Sequence, residues 1–192
     1  MSDTRDRVLD AAERLVQTMG FNWFSYADIA SELAIRKASV HHHFATKAEL
    51  GRAMIARYSE SFAAALDAIG RARVDAATKL TRYAKLYETV LRDNRLCLCA
   101  VLAAEYGSLP APMQAEIRRF FDRNEHWLAK VIEEGRQAKT ITINGSPIDV
   151  ARMLLSSLEG AMLVARPYGD AKRFAAAAAL VVSGLRTVGK ST

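Results

Sequence analysis

The stretch that decides the fold is "RKASVHHHFATK", Arg36 to Lys47, in which three consecutive histidines are flanked by basic residues. Such a cluster is compatible with three kinds of site: a metal centre, a catalytic group or a surface that contacts phosphate. Which of them applies depends on whether the three rings share a face, and that depends on the secondary structure of the segment.

The spacing of the apolar residues in this stretch predicts an α-helix. Successive helical residues are about 100° apart. With Val40 and Phe44 on the core side, His42 points outward, His41 lies on one flank and His43 turns back beside the core. Neighbouring helical residues do not face each other, so one metal ion held by all three histidines is not expected.

A catalytic reading of the same segment is also weak. Ser39 and His42 have helical spacing suited to a nucleophile and its base, but no third member or oxyanion donor is evident nearby. We therefore expect no enzyme activity, no metal and no cofactor. An all-helical enzyme that uses the histidines would instead show turnover or metal dependence.

The flanking segments predict two more helices. An apolar stripe from Val8 to Met19 ends at Gly20, a residue suited to a helix end. "SYAD", Ser25 to Asp28, has the form of a capping box and opens a short second helix. After a tight connection, the third helix is predicted from Ala38 to Phe44. Two short helices packed on an earlier one form a helix-turn-helix, whose second helix enters the DNA major groove.

The segment "VLDAAERLVQTMGFNWFSYADIASELAIRKASVHHHFATKAEL", within roughly residues 7 to 50, resembles the DNA-binding domain of the tetracycline-repressor (TetR) family. The matching features are the Gly20-Phe21 end of the first helix, the Ser25-led second helix, and the run from Ser39 to Phe44 followed by Lys47. The resemblance implies that this chain binds double-stranded operator DNA.

The resemblance also implies roles for individual residues. It places Lys37, Ala38, Ser39 and His42 near base edges and His41, His43 and Lys47 near phosphates, and we add Ser25 and Arg36 to the predicted contacts. These roles are chemically sensible, since His and Lys donate to phosphate oxygens and Ser and Lys reach base edges.

The chain departs from the family pattern at three positions. These are Ala34, where Gly is usual, Arg36, where a small capping residue is usual, and His41, where Tyr is usual. A left-handed Ala34 would cost on the order of 1 kcal/mol.

Charge and composition agree with a polyanionic partner. The net charge is +6, yet residues 1 to 50 hold six Lys and Arg against seven Asp and Glu. The excess of positive charge is local, because Arg36 to Arg57 contains five basic residues and one acidic residue.

No apolar run approaches the ~18 residues of a membrane span, and the N-terminus lacks a signal-peptide pattern. We therefore expect a cytoplasmic protein without a membrane partner. Two cysteines without framework spacing predict reduced thiols.

The rest of the chain is predicted to be helical. Helices are expected over Lys47 to Ile69, Asp75 to Arg92 and Leu96 to Tyr106, followed by a break at "GSLPAP" and a further apolar stripe. The fold class is therefore all-α with about nine helices. We predict a DNA-binding domain over residues 1 to 47 and a larger ligand-binding and dimerisation domain over residues 48 to 192, as the resemblance implies.

The two final helices, "VARMLLSSLEGAMLVA" and "FAAAAALVVSGL", are apolar around most of their circumference. Ser146, Pro147 and Asp149 form a start signal before the first of them, and "RPYGD" divides the pair. Helices that are apolar all round must be covered on both sides, which predicts a homodimer through these two helices. A monomer that buries both of them inside is the alternative.

An effector pocket is expected inside the remaining helices. Ligand sites combine apolar walls with a few polar groups. The candidate lining residues are Tyr83, Tyr87, Cys97, Glu105, Tyr106, Phe120, Arg123, Trp127, Glu159 and Met162, of which about half should be plain core. "RLCLCAVLAAE", Arg95 to Glu105, resembles a branch of the family that includes regulators responding to reactive electrophiles and small unsaturated compounds. Cys97 or Cys99 could therefore be a sensing thiol. Packing is the favoured role for both cysteines.

The resemblance implies, and the apolar pattern of the last two helices supports, a dimeric transcriptional regulator, most simply a repressor released from a pseudo-palindromic operator by a small-molecule inducer. The alternatives are an activator of the same fold and a sensor that uses a thiol and no inducer. An adaptor for membranes or proteins would bind anionic vesicles or a partner and show no sequence preference on DNA.

Overall fold

The computed structural model describes residues 3–185, and within that range it contains nine α-helices and no β-strand. The all-α prediction is confirmed. The described residues form two compact units. One comprises the residues up to Phe62 together with Arg95–Phe120, and the other comprises Ala63–Asn94 and the residues from Phe121 onward. This division differs in its boundaries from the predicted pair of domains.

The first unit is built around three short helices. These are α1 (Thr4–Met19), α2 (Tyr26–Leu33) and α3 (Lys37–His43), which pack on one another. Gly20 ends α1 with a φ of 98°, a left-handed value that glycine tolerates. The first part of α4 (Lys47–Arg71) follows, and its Leu50, Met54 and Ile55 are fully buried.

Helix α6 (Leu98–Ala104) and the start of α7 (Ala111–Gln137) complete this unit. Helix α6 is shorter than predicted at both ends. At its start, Cys97 is the N-cap with a non-helical ψ of 126°, and the amide of the preceding Leu96 donates to the carbonyl of Gln17 in α1. At its end, the chain passes into a 3-10 turn at Tyr106–Ser108.

The second unit contains the end of α4, then α5 (Ala76–Arg92), the remainder of α7, α8 (Pro147–Ala165) and α9 (Ala171–Ser183). Helices α8 and α9 pack on each other, and both contact α5. The predicted start of α8 is confirmed, because the Ser146 hydroxyl accepts from the amide of Asp149 and Pro147 occupies the first turn. A 3-10 turn at Arg166–Tyr168 separates α8 from α9, where "RPYGD" predicted a break.

Candidate functional site

The turn between α2 and α3 is held by local interactions that the sequence predicted. The Ser25 hydroxyl accepts from the amide of Ala27, and both the hydroxyl and the amide of Ser25 donate to Asp28, which confirms the capping box. These hydrogen bonds hold the pKa of Asp28 below its ordinary value. Ala34 ends α2 with φ 52° and ψ 44°, the left-handed conformation expected at the position where the family usually has Gly.

Helix α3 is anchored on one side and exposed on the other. Val40 is fully buried and Phe44 is almost so, and these two residues fix the rotation of the helix. His41 and His42 are exposed and His43 is half-buried, as the helical geometry predicted. The rings of His42 and His43 meet edge-on, with centroids 5.3 Å apart, whereas the His41 ring packs on Tyr26. Within residues 3–185 no group of three or more His, Cys, Asp or Glu could hold a metal ion.

The outward side of α3 carries the other predicted DNA contacts. Arg36, Lys37 and Ala38 are exposed and Ser39 is half-buried. Arg36 occupies the N-cap position of α3 without a capping side-chain hydrogen bond, as expected for this residue type. The exposed and half-buried residues of α3 from Lys37 to His42 are called the recognition surface below; they are Lys37, Ala38, Ser39, His41 and His42.

A cleft beside the recognition surface has a volume of about 490 Å³. Thr4 at the start of α1 lines it on one side, and Arg36, Ser39, His42 and His43 line it on the other. The cleft therefore brings together side chains that can donate hydrogen bonds to phosphate or base oxygens.

His41 lies against a buried tyrosine. Its ring meets the Tyr26 ring edge-on, with the ring centroids 4.6 Å apart. Burial, together with the nearby charge of Glu49, raises the pKa of Tyr26 to about 12. The phenol therefore stays neutral at physiological pH and supports His41 as an uncharged platform.

Lys47 has a structural task that the sequence did not indicate. Its ammonium donates to the backbone carbonyls of Phe21 (2.6 Å) and Phe24, and it lies over both of their rings. Burial lowers the pKa of Lys47 below its ordinary value. An ammonium has three donors, so two of them tie the loop after α1 to α4, and one is left for the predicted phosphate contact.

These elements together are a helix-turn-helix with an exposed second helix, and comparison with known proteins assigns its family. Residues 8–54 match the model described as "Bacterial regulatory proteins, tetR family", and residues 70–181 match "Tetracyclin repressor-like, C-terminal domain". The chain belongs to the TetR family. The earlier resemblance is thereby confirmed, and the protein is a transcriptional regulator and not an enzyme.

Individual TetR-family relatives match over nearly the whole chain. A regulator from Legionella pneumophila is 31% identical, with a TM-score of 0.89 over 97% of this chain and 99% of that one. A regulator from Agrobacterium tumefaciens is also 31% identical, with a TM-score of 0.91 over 95% of this chain and 97% of that one. The transcriptional repressor NemR of Escherichia coli K12 is 24% identical over 173 residues, which are 85% of this chain and 84% of NemR.

In the regulatory part of this TetR-family chain, the structure brings three of the predicted effector residues together. Tyr83 and Tyr87 are buried and their hydroxyls lie 2.8 Å apart. The Tyr83 hydroxyl also donates to the side-chain oxygen of Asn124 (2.9 Å), and its ring stacks on that of Trp127 (centroids 5.7 Å apart). The result is a hydrogen-bonded aromatic group in the second unit.

Asn124 was missed by the sequence reasoning, although a signal for it exists. It lies four residues after Phe120 and three before Trp127, on the apolar stripe of α7. A polar residue at a core position needs a partner, and buried Asn124 finds it in Tyr83.

The predicted effector residues of the first unit are engaged within that unit. Phe120 is buried against the rings of Tyr58 and Phe62. Cys97 is fully buried, and the Tyr58 hydroxyl lies 3.7 Å from its sulfur. Both cysteines are buried and neither forms a disulfide with the other, and the packing role favoured from sequence stays a prediction.

Two other members of the predicted set, Glu105 and Tyr106, form contacts within the first unit. The Glu105 carboxylate accepts from the amides of Phe21 (2.8 Å) and Asn22 (3.3 Å), which favours a structural role over ligand contact. Tyr106 accepts a hydrogen bond from Arg118, whose guanidinium also lies over the Tyr106 ring.

The remaining predicted residues lie in the second unit with different exposures. Met162 is buried in α8, Glu159 is half-buried and Arg123 is exposed. Of the ten candidates, Tyr83, Tyr87 and Trp127 form one contacting group. No helix within residues 3–185 has the length and apolarity that a membrane crossing requires.

Proposed function

We propose that this protein is a dimeric transcriptional repressor that binds a pseudo-palindromic operator and is released by a small-molecule inducer. The observation that carries the proposal is the recognition surface, where exposed side chains are held at a fixed rotation by buried Val40 and Phe44. A rigid helix with polar groups on its outer side is what major-groove readout requires.

The proposed contacts divide into two kinds. Lys37, Ala38, Ser39 and His42 would reach base edges, while Ser25, Arg36, His41, His43 and Lys47 would contact phosphates. Base contacts determine which operator is chosen, and phosphate contacts fix the orientation of the protein on the duplex. An operator is chromosomal DNA, so a cytoplasmic location is part of the proposal.

The proposed dimer is supported by an exposed apolar stripe on the last two helices. On α8, Met153, Gly160, Leu163 and Val164 are exposed on the side opposite the buried residues. On α9, Leu180 is 74% exposed. These five residues are called the dimer stripe below. Exposed apolar stripes of this kind mark protein interfaces, and a two-fold axis would place stripe against stripe. The dimer supplies the two recognition helices that a pseudo-palindrome needs.

The proposed inducer would act by stabilising a dimer whose recognition helices are spaced wrongly for the operator. The relatives NemR and DhaR are repressors by name, which supports repression as the direction. A reporter gene under an operator-containing promoter distinguishes the two directions, because deletion of the regulator raises expression for a repressor and lowers it for an activator.

The direct test is fluorescence anisotropy with a duplex enriched from a random pool. We expect Lys37→Ala and His42→Ala each to weaken binding about tenfold or more, since a base contact is worth about 1–3 kcal/mol. Arg82→Ala removes an exposed cation of α5 and serves as the control. Equal losses from all three variants would show that the two α3 residues are no more important than a cation of α5, and would refute specific recognition.

Thiol sensing through Cys97 is a second candidate. It is supported by the Tyr58 hydroxyl, which lies 3.7 Å from the Cys97 sulfur. Peroxide or an electrophile should then abolish DNA binding in the original protein and in Cys99→Ser but not in Cys97→Ser. Equal sensitivity of all three proteins would exclude this candidate.

A further inference from the structure

We propose that a cleft in the second unit, formed by the end of α4, the start of α5 and the later part of α7, binds small organic anions that carry a flat apolar group. The cleft has a volume of about 310 Å³, within the lower range of small-molecule sites. Its principal lining residues are Gly70, Arg71, Lys79, Trp127, Lys130 and Glu134. As a binding site it stands independently of the repressor proposal, and only its use as an inducer site rests on that proposal.

The charges around the cleft favour an anion. Lys79 and Glu134 form an ion pair with a nitrogen-oxygen distance of 3.0 Å, and the Lys79 side chain is only 13% exposed, so these two charges largely satisfy each other. Arg71 and Lys130 have no ion-pair partner among residues 3–185. Asp67 is the second carboxylate of the lining. Three cations and two carboxylates leave one positive charge, which a monoanion would neutralise.

Trp127 supplies a flat apolar wall. The rear of its indole is stacked on Tyr83, with an angle of 19° between the rings. Tyr83 is itself fixed by hydrogen bonds to Tyr87 and Asn124. The indole is therefore held in place by Tyr83, and Trp127 lines the cleft, where we propose that its ring stacks on a flat ligand.

The edge of the same indole offers a hydrogen-bond donor. Among the described residues the N–H of Trp127 has no hydrogen-bond partner. A Cβ added at Gly70 would lie 3.6 Å from that nitrogen, so the glycine keeps the space beside the N–H open. An indole N–H, a guanidinium and an ammonium around one cleft are donors suited to a carboxylate.

The chain contains a reporter for this site. It has two tryptophans, and the other is Trp23, which is 79% exposed in the loop after α1. Trp23→Phe leaves Trp127 as the sole tryptophan. We would titrate this protein with benzoate and with trans-cinnamate at constant ionic strength, and with benzamide as the neutral counterpart of benzoate.

The expected result is a saturable change of Trp127 fluorescence with both carboxylates. Benzamide should bind at least about tenfold more weakly than benzoate, because a charge-assisted hydrogen bond is lost. Arg71→Gln and Lys130→Gln should each weaken carboxylate binding severalfold. Gly70→Val should block it. The matched control Arg82→Gln, which removes a cation outside the cleft, should bind as before.

Three results would overturn the proposal: no saturable response to either carboxylate, equal binding of benzoate and benzamide, or equal behaviour of Lys130→Gln and Arg82→Gln. Arg71 and Lys130 are exposed, so both variants should fold, and circular dichroism would verify this. A separate anisotropy measurement with operator DNA then tests the inducer role. Carboxylate binding without DNA release would leave the site established and refute its use by the proposed repressor.

Discussion

The recognition surface of α3 and the dimer stripe of α8 and α9 are both exposed, but they differ in what exposure means. On α3 the exposed groups are polar, and water satisfies them until DNA replaces it. On α8 and α9 the exposed groups of the dimer stripe are apolar. Leu163, Val164 and Leu180 contribute hydrophobic free energy only when another surface buries them. A polar surface can therefore exist alone and choose a partner, whereas an apolar stripe requires one.

The strongest way to break this comparison is to place charge on the dimer stripe. Leu180→Glu should abolish dimerisation, because burying a Leu is worth about 1.5–3 kcal/mol and a two-fold interface loses it twice, before any cost of the buried charge. Analytical ultracentrifugation at micromolar concentration would measure the change. Met19→Glu, at a half-exposed residue of the first unit, is the control and should remain dimeric. A dimeric Leu180→Glu protein would place the interface elsewhere.

A second variant tests the support of the recognition surface. Lys47→Met removes the donor from the carbonyls of Phe21 and Phe24, and we expect the free energy of unfolding to fall by about 2–4 kcal/mol. Urea denaturation measures it. Arg52→Met removes an exposed cation from the same helix and should change stability by less than about 0.5 kcal/mol. Similar losses in the two variants would mean that the Lys47 hydrogen bonds add nothing.

The turn before α3 allows a test with two opposite signs. Ala34→Gly should stabilise the protein by up to about 1 kcal/mol, because glycine relieves the left-handed strain at φ 52°. Ala38→Gly, within α3, should instead destabilise it by about 1 kcal/mol. Thermal melts of both variants would suffice. Destabilisation in both cases would contradict the strain assigned to Ala34.

The smallest expected effect is a pH dependence at the start of α2. Hydrogen bonds from Ser25 lower the folded-state pKa of Asp28 below its unfolded value. Its contribution to stability is therefore complete above the unfolded value near pH 4 and is lost as the pH falls through the lower, folded value. Asp28→Asn should flatten the acid limb of a stability-pH curve. An unchanged limb would show that the capping box contributes no measurable linkage.

Features that depend on local interactions could be predicted from the sequence. The capping box at Ser25, the left-handed Ala34 and the rotation of α3 about Val40 follow from residues within a few positions of each other, so periodicity and capping rules were sufficient. The start of α8 at Pro147 was predictable for the same reason. These are local interactions, and local interactions leave a signal in short stretches of sequence.

The functional roles farther along the chain depend on distant residues. Glu105 binds the amide of Phe21 across 84 positions, and Tyr83 meets Asn124 across 41. Neither partner can be identified from a local pattern: the place of Asn124 on the apolar stripe of α7 indicates burial but does not indicate Tyr83, and nothing near Glu105 in the sequence indicates Phe21. The hydrogen bonds from Lys47 to the carbonyls of Phe21 and Phe24 were likewise not indicated by the sequence, because these groups become neighbours only after folding.

Sequence-specific DNA recognition by α3 is tested by selection of preferred duplexes from a random pool. The selection would be repeated with Ser39→Ala, with His42→Ala and with His126→Ala, which changes an exposed histidine of α7. The account predicts a two-fold symmetric consensus that is weakened or altered by the two changes in α3 and retained by the α7 control. A flat outcome at low and moderate salt, with folded protein, would contradict it.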